Sequence, residues 1–332
     1  MNFQIVPERY QTSQRVLMIR PARFGYHTQA ASTNAFMNQS DLDQDQVVRS
    51  AALEFDGLVN ALRDGGIEVL VHQDTTGLPD CLFPNNWVSW HTTDGHMSNA
   101  AAGPAASSAA GSSASQLLVT YPMCDALRRS ERSSDVLDAV AEFTGSTPSH
   151  LDLTGLEEDA EILEGTGSLV LDRIAGHAFA CLSPRTTAAA FDAWCDETGY
   201  QPIGFEATDK SGTPIYHTNV FMSVGHRLAV VCSNSITDDT TRQKVIKMLS
   251  SEGRQLIDIT FEQMNNFCGN ILELCDTERR SVFAMSSRAL NSFTTDQRAI
   301  IESLGSIVHA DIPTIENIGG GSVRCMIAEL GR

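Results

Sequence analysis

Cys325, His217 and Glu164 are by type the parts of a nucleophilic catalyst. A thiolate attacks, an imidazole carries protons, and a carboxylate orients or tunes them. Cys325 lies in "GGGSVRCMIAEL", residues 319–330. A free thiol ionises only near pH ~8.5, so a nucleophilic one needs help. The glycine turn offers backbone N–H groups and Arg324 offers a cation, both of which favour the thiolate. Each residue also has an ordinary reading. Cys325 before Met-Ile-Ala fits a small core residue, His217 a satisfied structural histidine, and Glu164 in "LEGTGS" a turn carboxylate. Cys268 is a rival thiol. "EGTGS" and "GGGS" could cradle a phosphate, but neither has dinucleotide or P-loop spacing.

Chemistry needs these residues in one place, and the spacing of the turns supplies a reason. Asn34, Asn86, Glu164, Asn219, Asn270 and Cys325 each sit in a polar or glycine-rich turn. The steps are 52, 78, 55, 51 and 55 residues. The long step contains "SNAAAGPAASSAAGSSAS", residues 98–115, a Ser/Ala tract that cannot bury apolar surface and reads as a surface insertion.

The elements around these turns recur too. "GHAFACLSPRTT", "GHRLAVVCSNSIT" and "RRSVFAMSSRALNSFT" each read as an apolar strand, a polar corner and a Ser/Thr helix start. A glycine and a further strand follow each. A period near fifty residues built from strand, strand, helix, strand predicts radial repetition. The strand expected over 323–330 would complete the unit begun by "RVLMIRP" and close the ring, as in propellers. The ordinary alternative is an α/β sheet with chance similarity between its units. Closure places the turn residues, Asn85 included, around one axial pocket.

The bulk numbers narrow the chemistry. Of 332 residues, 42% are hydrophobic and 19% charged, enough for a buried core. Net charge is −18, which disfavours nucleic acid and other polyphosphate partners. The N-terminus lacks a signal-peptide pattern, and no apolar run approaches the ~20 residues of a membrane span. The eight cysteines form no CxxC pair, so no metal site is expected; reduced thiols in a cytoplasmic protein are.

The turns "DCLFPNNW", "LEGTGSLVLD", "LSPRT", "YHTNV" and "GGGSVRCM" resemble, in order and over nearly the whole chain, those of the guanidino-group-modifying, or pentein, superfamily. Arginine deiminases, dimethylarginine dimethylaminohydrolases and amidinotransferases belong to it. The resemblance implies an α/β fold, a five-bladed pseudo-fivefold propeller of ββαβ units, as one catalytic domain over 1–332. It implies Cys325 as nucleophile, His217 as general acid/base and Glu164 as their acidic partner. It implies Arg185 on the substrate α-carboxylate and Asp80 on the α-amino group, with no cofactor. Cys268 matches no catalytic position of the family.

Two departures bear on the substrate. Guanidinium-binding relatives carry acidic residues where this chain has Asn85 and Asn86, and His-x-Asp where it has His217-Thr218-Asn219. A buried guanidinium is a permanent cation that needs carboxylates in place of water. Amides, offering a donor and an acceptor, suit a neutral ureido group. The expected activity is C–N hydrolysis of an amino acid's ureido group, most simply citrulline to ornithine, as in citrulline-utilisation hydrolases. Arginine deiminase, dimethylarginine dimethylaminohydrolase or amidinotransferase activity is the alternative. So is a non-catalytic propeller scaffold, against which the intact Cys, His and Glu argue. The partner is then a small amino acid, with homo-oligomerisation left open.

Overall fold

The computed structural model describes residues 11–93, 115–251 and 253–330. Of the Ser/Ala tract 98–115, only Ser115 falls among them, at the start of a strand; the rest lies outside the described residues.

The strands are β1 (Arg15–Arg20), β2 (Glu68–Gln73), β3 (Val88–Thr93), β4 (Ser115–Thr120), β5 (Ser149–Asp152), β6 (Val170–Asp172), β7 (His177–Cys181), β8 (Gln201–Phe205), β9 (Met222–Val224), β10 (Leu228–Val231), β11 (Gln255–Asp258), β12 (Leu272–Cys275), β13 (Ser281–Ser286), β14 (Ser306–Ala310) and β15 (Ala328–Leu330). Among the described residues they form five three-stranded sheets. Four are consecutive triplets, and the fifth joins β15 to β1 and β2. In every sheet the middle strand runs antiparallel to the first and parallel to the third. Each parallel crossover carries helix, as a parallel pair requires. The first strands of neighbouring sheets lie side by side, β15 by β3, β6 by β9 and β9 by β12. This is the α/β propeller of ββαβ units, closed by the antiparallel pairing of Arg15–Leu17 with Ala328–Leu330.

The middle strands explain the burial. "LMI", "AFAC", "LAVV" and "VFAMS" are continuous apolar runs, covered on both faces by helices and neighbouring sheets. The helix Gln44–Asp64 packs Val47, Ala51, Phe55, Leu58, Val59 and Leu62 inward at i, i+3, i+4 spacing. Its N-terminus is a capping box, Asp43 accepting from the Gln46 N–H and Gln46 from the Asp43 N–H. Burying each large side chain on that face contributes roughly 1.5–3 kcal/mol.

Two expectations are corrected. The last strand spans Ala328–Leu330, not 323–330; residues 322–327 form turns closed by Cys325 N–H to Ser322 O and Met326 N–H to Val323 O. The thiol therefore sits on a turn before the inner strand, where it can face the axis. Asn34 does not begin the series of equivalent turns either. It lies in the connection from β1 to β2, because the first sheet takes its inner strand from the chain end. Its amide still reaches Gly319 O and Gly320 O, at 3.5 and 3.3 Å.

Candidate active site

Four of the inner strands are entered through a short helical turn or tight loop: Pro84–Asn86, Gly165–Ser168, Thr218–Val220 and 267–270. The turns before β15 make the fifth. A cavity between them is lined by Asp80, Asn86, Arg128, Arg185, His217 and Cys325, with the glycine loop of residues 319–321 beside it.

Cys325 is buried, and its loop is tied down on several sides. Tyr216 Oη donates to Gly320 O at 2.6 Å, Ser322 Oγ to Glu316 Oε1 at 2.7 Å, and the Arg324 N–H to Asn270 Oδ1 at 3.1 Å. Gly320 has φ +63°, a left-handed turn that favours glycine. At sulfur, Asn270 Nδ2 donates from 3.2 Å and Asn219 Nδ2 from 3.5 Å. Burial pushes the thiol above its ordinary pKa, although Asn270, the Ser322 backbone, Arg324 and Asn219 all favour the thiolate. The help expected from Arg324 is thus present but outweighed. Its guanidinium turns away, to Ile327 O at 2.9 Å and Glu329 at 3.3 Å.

His217 Nε2 meets Glu164 Oε2 at 2.9 Å, both side chains being 1% exposed. Burial pushes the imidazole down, to about 4, against the pull of Glu164. Burial acts on Glu164 in the opposite sense, but Arg185, His217 and Arg128 outweigh it and hold the carboxyl well below its usual range. Arg185 Nη1 is 3.5 Å and Arg128 Nη1 3.7 Å from Glu164 Oε2, while Oε1 accepts the Cys124 N–H at 3.1 Å. At neutral pH the site therefore holds a thiol, a neutral imidazole and a charged carboxylate.

Two glycines permit this approach. Gly165 has φ +45°, and a Cβ there would lie 2.2 Å from Asn85 O. A Cβ on Gly167 would lie 2.6 Å from the Asn86 side-chain amide and 2.7 Å from His217 Nδ1.

The other expected residues divide. Asp80 and Arg185 reach the cavity. Asp80 Oδ2 pairs with His27 Nδ1 at 2.7 Å, while buried Oδ1 has no partner and can take a donor from a ligand. Arg185 is already engaged, Nε with Thr33 Oγ1 at 2.9 Å, Nη2 with Ala30 O at 2.7 Å, and its Cζ 5.0 Å from the Tyr216 ring centre. Asn86 lies on the wall, its carbonyl accepting from Arg128 Nη1 at 2.8 Å and its NH₂ donating to Asn85 Oδ1 at 3.0 Å. Asn85 does not line the cavity; it is fully buried behind Asn86. Asn219 and Glu164 also stand just behind the wall, touching its residues. Cys268 does not line the cavity; it is buried with Sγ 3.4 Å from Ala289 O.

Sequence reasoning did not place Arg128 and His27. Arg128 links both ends of the cavity, 3.9 Å from Asp80, 3.0 Å from Glu131 and 3.7 Å from Glu164. "RRSER" held a signal, a basic pair followed by an acid, but not which arginine turns inward. His27, in "FGYHTQ", had no comparable signal.

Among the described residues, no group of three His, Cys, Asp or Glu is arranged to hold a metal ion, and no helix is long and apolar enough to cross a membrane. A larger groove elsewhere, lined by His226, Arg227, Asp276, Arg280, Glu302 and His309 among others, mixes both signs of charge and holds no cysteine.

A family model described as N,N dimethylarginine dimethylhydrolase, eukaryotic, matches residues 20–332. No curated protein matches the chain. Among solved structures, the apo form of ArgZ, an arginine dihydrolase from the ornithine–ammonia cycle in cyanobacteria, is similar at 14% identity and TM-score 0.65 over 95% of this chain. This chain spans 40% of the length of that protein. The N-terminal domain of ArgZ alone, a substrate-bound mutant, is similar at 15% identity and TM-score 0.65, over 94% of this chain and 96% of that one. A citrulline-bound mutant of the DDAH from Pseudomonas aeruginosa is similar at 14% identity and TM-score 0.57, over 96% of this chain and all of that one. At such identities the likeness concerns the fold.

Proposed function

The chain belongs to the N,N dimethylarginine dimethylhydrolase family, within the pentein superfamily, and from that premise we propose that it hydrolyses the ureido group of citrulline, using the whole chain as one catalytic domain. Members of this family are hydrolases of amidino-type C–N bonds, and this chain is one of them. The observation that carries the choice of head group is the set of amides at sulfur. Asn219 and Asn270 touch Sγ and Asn86 lines the wall, whereas the nearby carboxylate of Glu164 is engaged by His217, Arg185 and Arg128. These amides are uncharged, so a neutral ureido group needs no counter-charge beside them; a guanidinium would have to share the Glu164 carboxylate with two arginines.

In this reading Cys325 Sγ attacks the ureido carbon as its proton passes to His217. The C–N bond breaks, His217 returns the proton to the departing nitrogen, and a thiocarbamate remains on sulfur. His217 then takes a proton from water, hydroxide adds to the carbon, and the C–S bond breaks. The carbamate loses carbon dioxide, so citrulline and one water give ornithine, ammonia and carbon dioxide. Glu164 stabilises the imidazolium formed in each half. Asp80 Oδ1, unpartnered and buried, accepts from the α-amino group, and Arg185 or Arg128 faces the α-carboxylate.

A second reading, hydrolysis of arginine or a methylarginine, is favoured by the family description and by the arginine dihydrolase named among the fold neighbours. Glu164 would then serve as the counter-charge of the guanidinium. Wild type and Cys325→Ser are tested on citrulline, arginine and methylarginine, following ornithine, citrulline and ammonia. Ornithine from citrulline, lost in Cys325→Ser, is expected. Turnover of arginine or methylarginine with citrulline inert would replace the first reading by the second.

A further inference from the structure

Asn270 enters the site from the turn before β12 and is 1% exposed. Its amide is held at three points. Oδ1 accepts the Arg324 N–H at 3.1 Å, while Nδ2 donates to Asn219 O at 2.8 Å and to Cys325 Sγ at 3.2 Å. The first two contacts fix which end of the amide faces sulfur. With Oδ1 occupied by a backbone N–H, sulfur meets only a donor. The residue that anchors this amide, Arg324, directly precedes the cysteine, so one side chain holds both the backbone and the reacting atom of the loop.

Asn219 behaves differently. Its Nδ2 lies 3.5 Å from Sγ and its Oδ1 3.7 Å, so it presents both a donor and an acceptor. Its carbonyl can take the S–H of the resting thiol. Asn270 offers nothing to an S–H, but a good donor to a thiolate. A fixed donor favours the charged form of an acid and costs no reorganisation at the moment of reaction.

Resting on Cys325 as the nucleophile of the reaction proposed above, we propose that Asn270 is a further catalytic residue, an orientation-locked N–H donor that stabilises the Cys325 thiolate. In the step concerned, the S–H bond breaks, its electron pair stays on sulfur, and the proton goes to the His217 ring nitrogen that Glu164 leaves free.

The test compares wild type, Asn270→Asp and Asn270→Ser. The aspartate keeps an acceptor for the Arg324 N–H but sets a carboxylate beside sulfur; the serine shortens the donor. The pH dependence of Cys325 alkylation by iodoacetamide is read at the peptide level, with Cys325→Ser as background for the other thiols. The half-maximal pH should rise by about one unit in Asn270→Ser and more in Asn270→Asp. The kcat/KM at neutral pH should fall about tenfold or more with KM little changed. A half-maximal pH and turnover equal to wild type in a folded variant would overturn the proposal, even if that variant unfolds at lower temperature. Should one variant not fold, the other decides. A shifted alkylation profile in a protein that turns over no substrate of the panel would support Asn270 at the thiolate and remove the citrulline reading instead.

Discussion

Glu164 Oε2 lies 2.9 Å from His217 Nε2, in a pocket where both side chains are shut off from solvent. The carboxylate also faces Arg185 and Arg128, which keep it charged. It anchors one ring nitrogen and leaves the other for chemistry. Because burial outweighs this contact, the imidazole rests neutral and can accept a proton from the thiol. The pair thus defines the resting state on which the proposed reaction depends.

The first expectation concerns rate against pH. The competent free enzyme carries a neutral His217 and a Cys325 thiol whose proton it can take. Protonation of His217 near pH 4 removes the base, so kcat/KM should fall there on the acid side. Loss of the thiol proton limits the alkaline side, at a pH above the ordinary value of a cysteine because burial raises it. Stopped-time assays from pH 4 to 10 should therefore show a broad plateau across neutrality. His217→Asn should lower kcat/KM by about 10²–10⁴. A steep rise of rate between pH 6 and 7 in wild type would contradict a resting neutral imidazole.

The same residue links stability to pH. An unfolded histidine titrates near ~6.5, and His217 in the fold near about 4. Between these values the unfolded chain binds more protons, so stability is complete above the unfolded value and is lost as pH falls toward the folded one. The loss approaches about 3 kcal/mol by pH 4. Glu164, held below its ordinary value, adds to the loss at the acid end. Urea unfolding at pH 7.5, 6.0 and 5.0 should show declining stability, with a flatter dependence in His217→Asn.

Gly167→Ala tests the packing of the turn Gly165–Ser168. The added Cβ would press on the Asn86 amide at 2.6 Å and on His217 Nδ1 at 2.7 Å. Overpacking of this kind costs about 1–3 kcal/mol. Displacing the imidazole should reduce kcat roughly a hundredfold, since small misplacements of reacting groups carry penalties of that order. Melting temperature and kcat measured together check both parts. A variant with normal kcat would show that the ring has room to move.

In the proposed reading, Asp80 and His27 act on the amino-acid end of the substrate. The Asp80 hydrogen bond, together with the charges of Asp80 and Asp125, raises the pKa of His27 against its burial and against Arg128. While protonated, His27 competes with a substrate α-ammonium for the Asp80 carboxylate. As pH rises through its raised value, that competition and the stability of the ion pair are both lost. KM for citrulline should therefore fall with rising pH in wild type. In Asp80→Asn, KM should rise about tenfold or more and lose that pH dependence, with kcat changed less. Initial rates over a citrulline series at pH 6, 7 and 8 give the comparison.

How much of this was legible beforehand follows from the geometry of the repeat. A period near fifty residues and continuous apolar middle strands specify the ring, because every unit must bury the same faces against its neighbours. Residues at the entrance of each inner strand must then face the axis, so Cys325, His217, Asn86 and Asn219 could be grouped without coordinates. Choices within a turn could not. Asn85 and Asn86 are adjacent and chemically identical, yet only Asn86 lines the cavity, because the dihedrals of one 3₁₀ turn aim one amide inward and bury the other behind it. Arg128 is likewise buried at the site while Arg129 has a side chain 33% exposed. By itself the sequence determined which chemical groups are present and that they circle one axis. Only the tertiary structure decided their state: a thiol kept protonated by burial, a carboxylate claimed by two arginines, an amide turned donor-first toward sulfur. Those outcomes depend on local dielectric and hydrogen-bond direction, set by atoms brought together from distant parts of the chain, and residue spacing does not encode either.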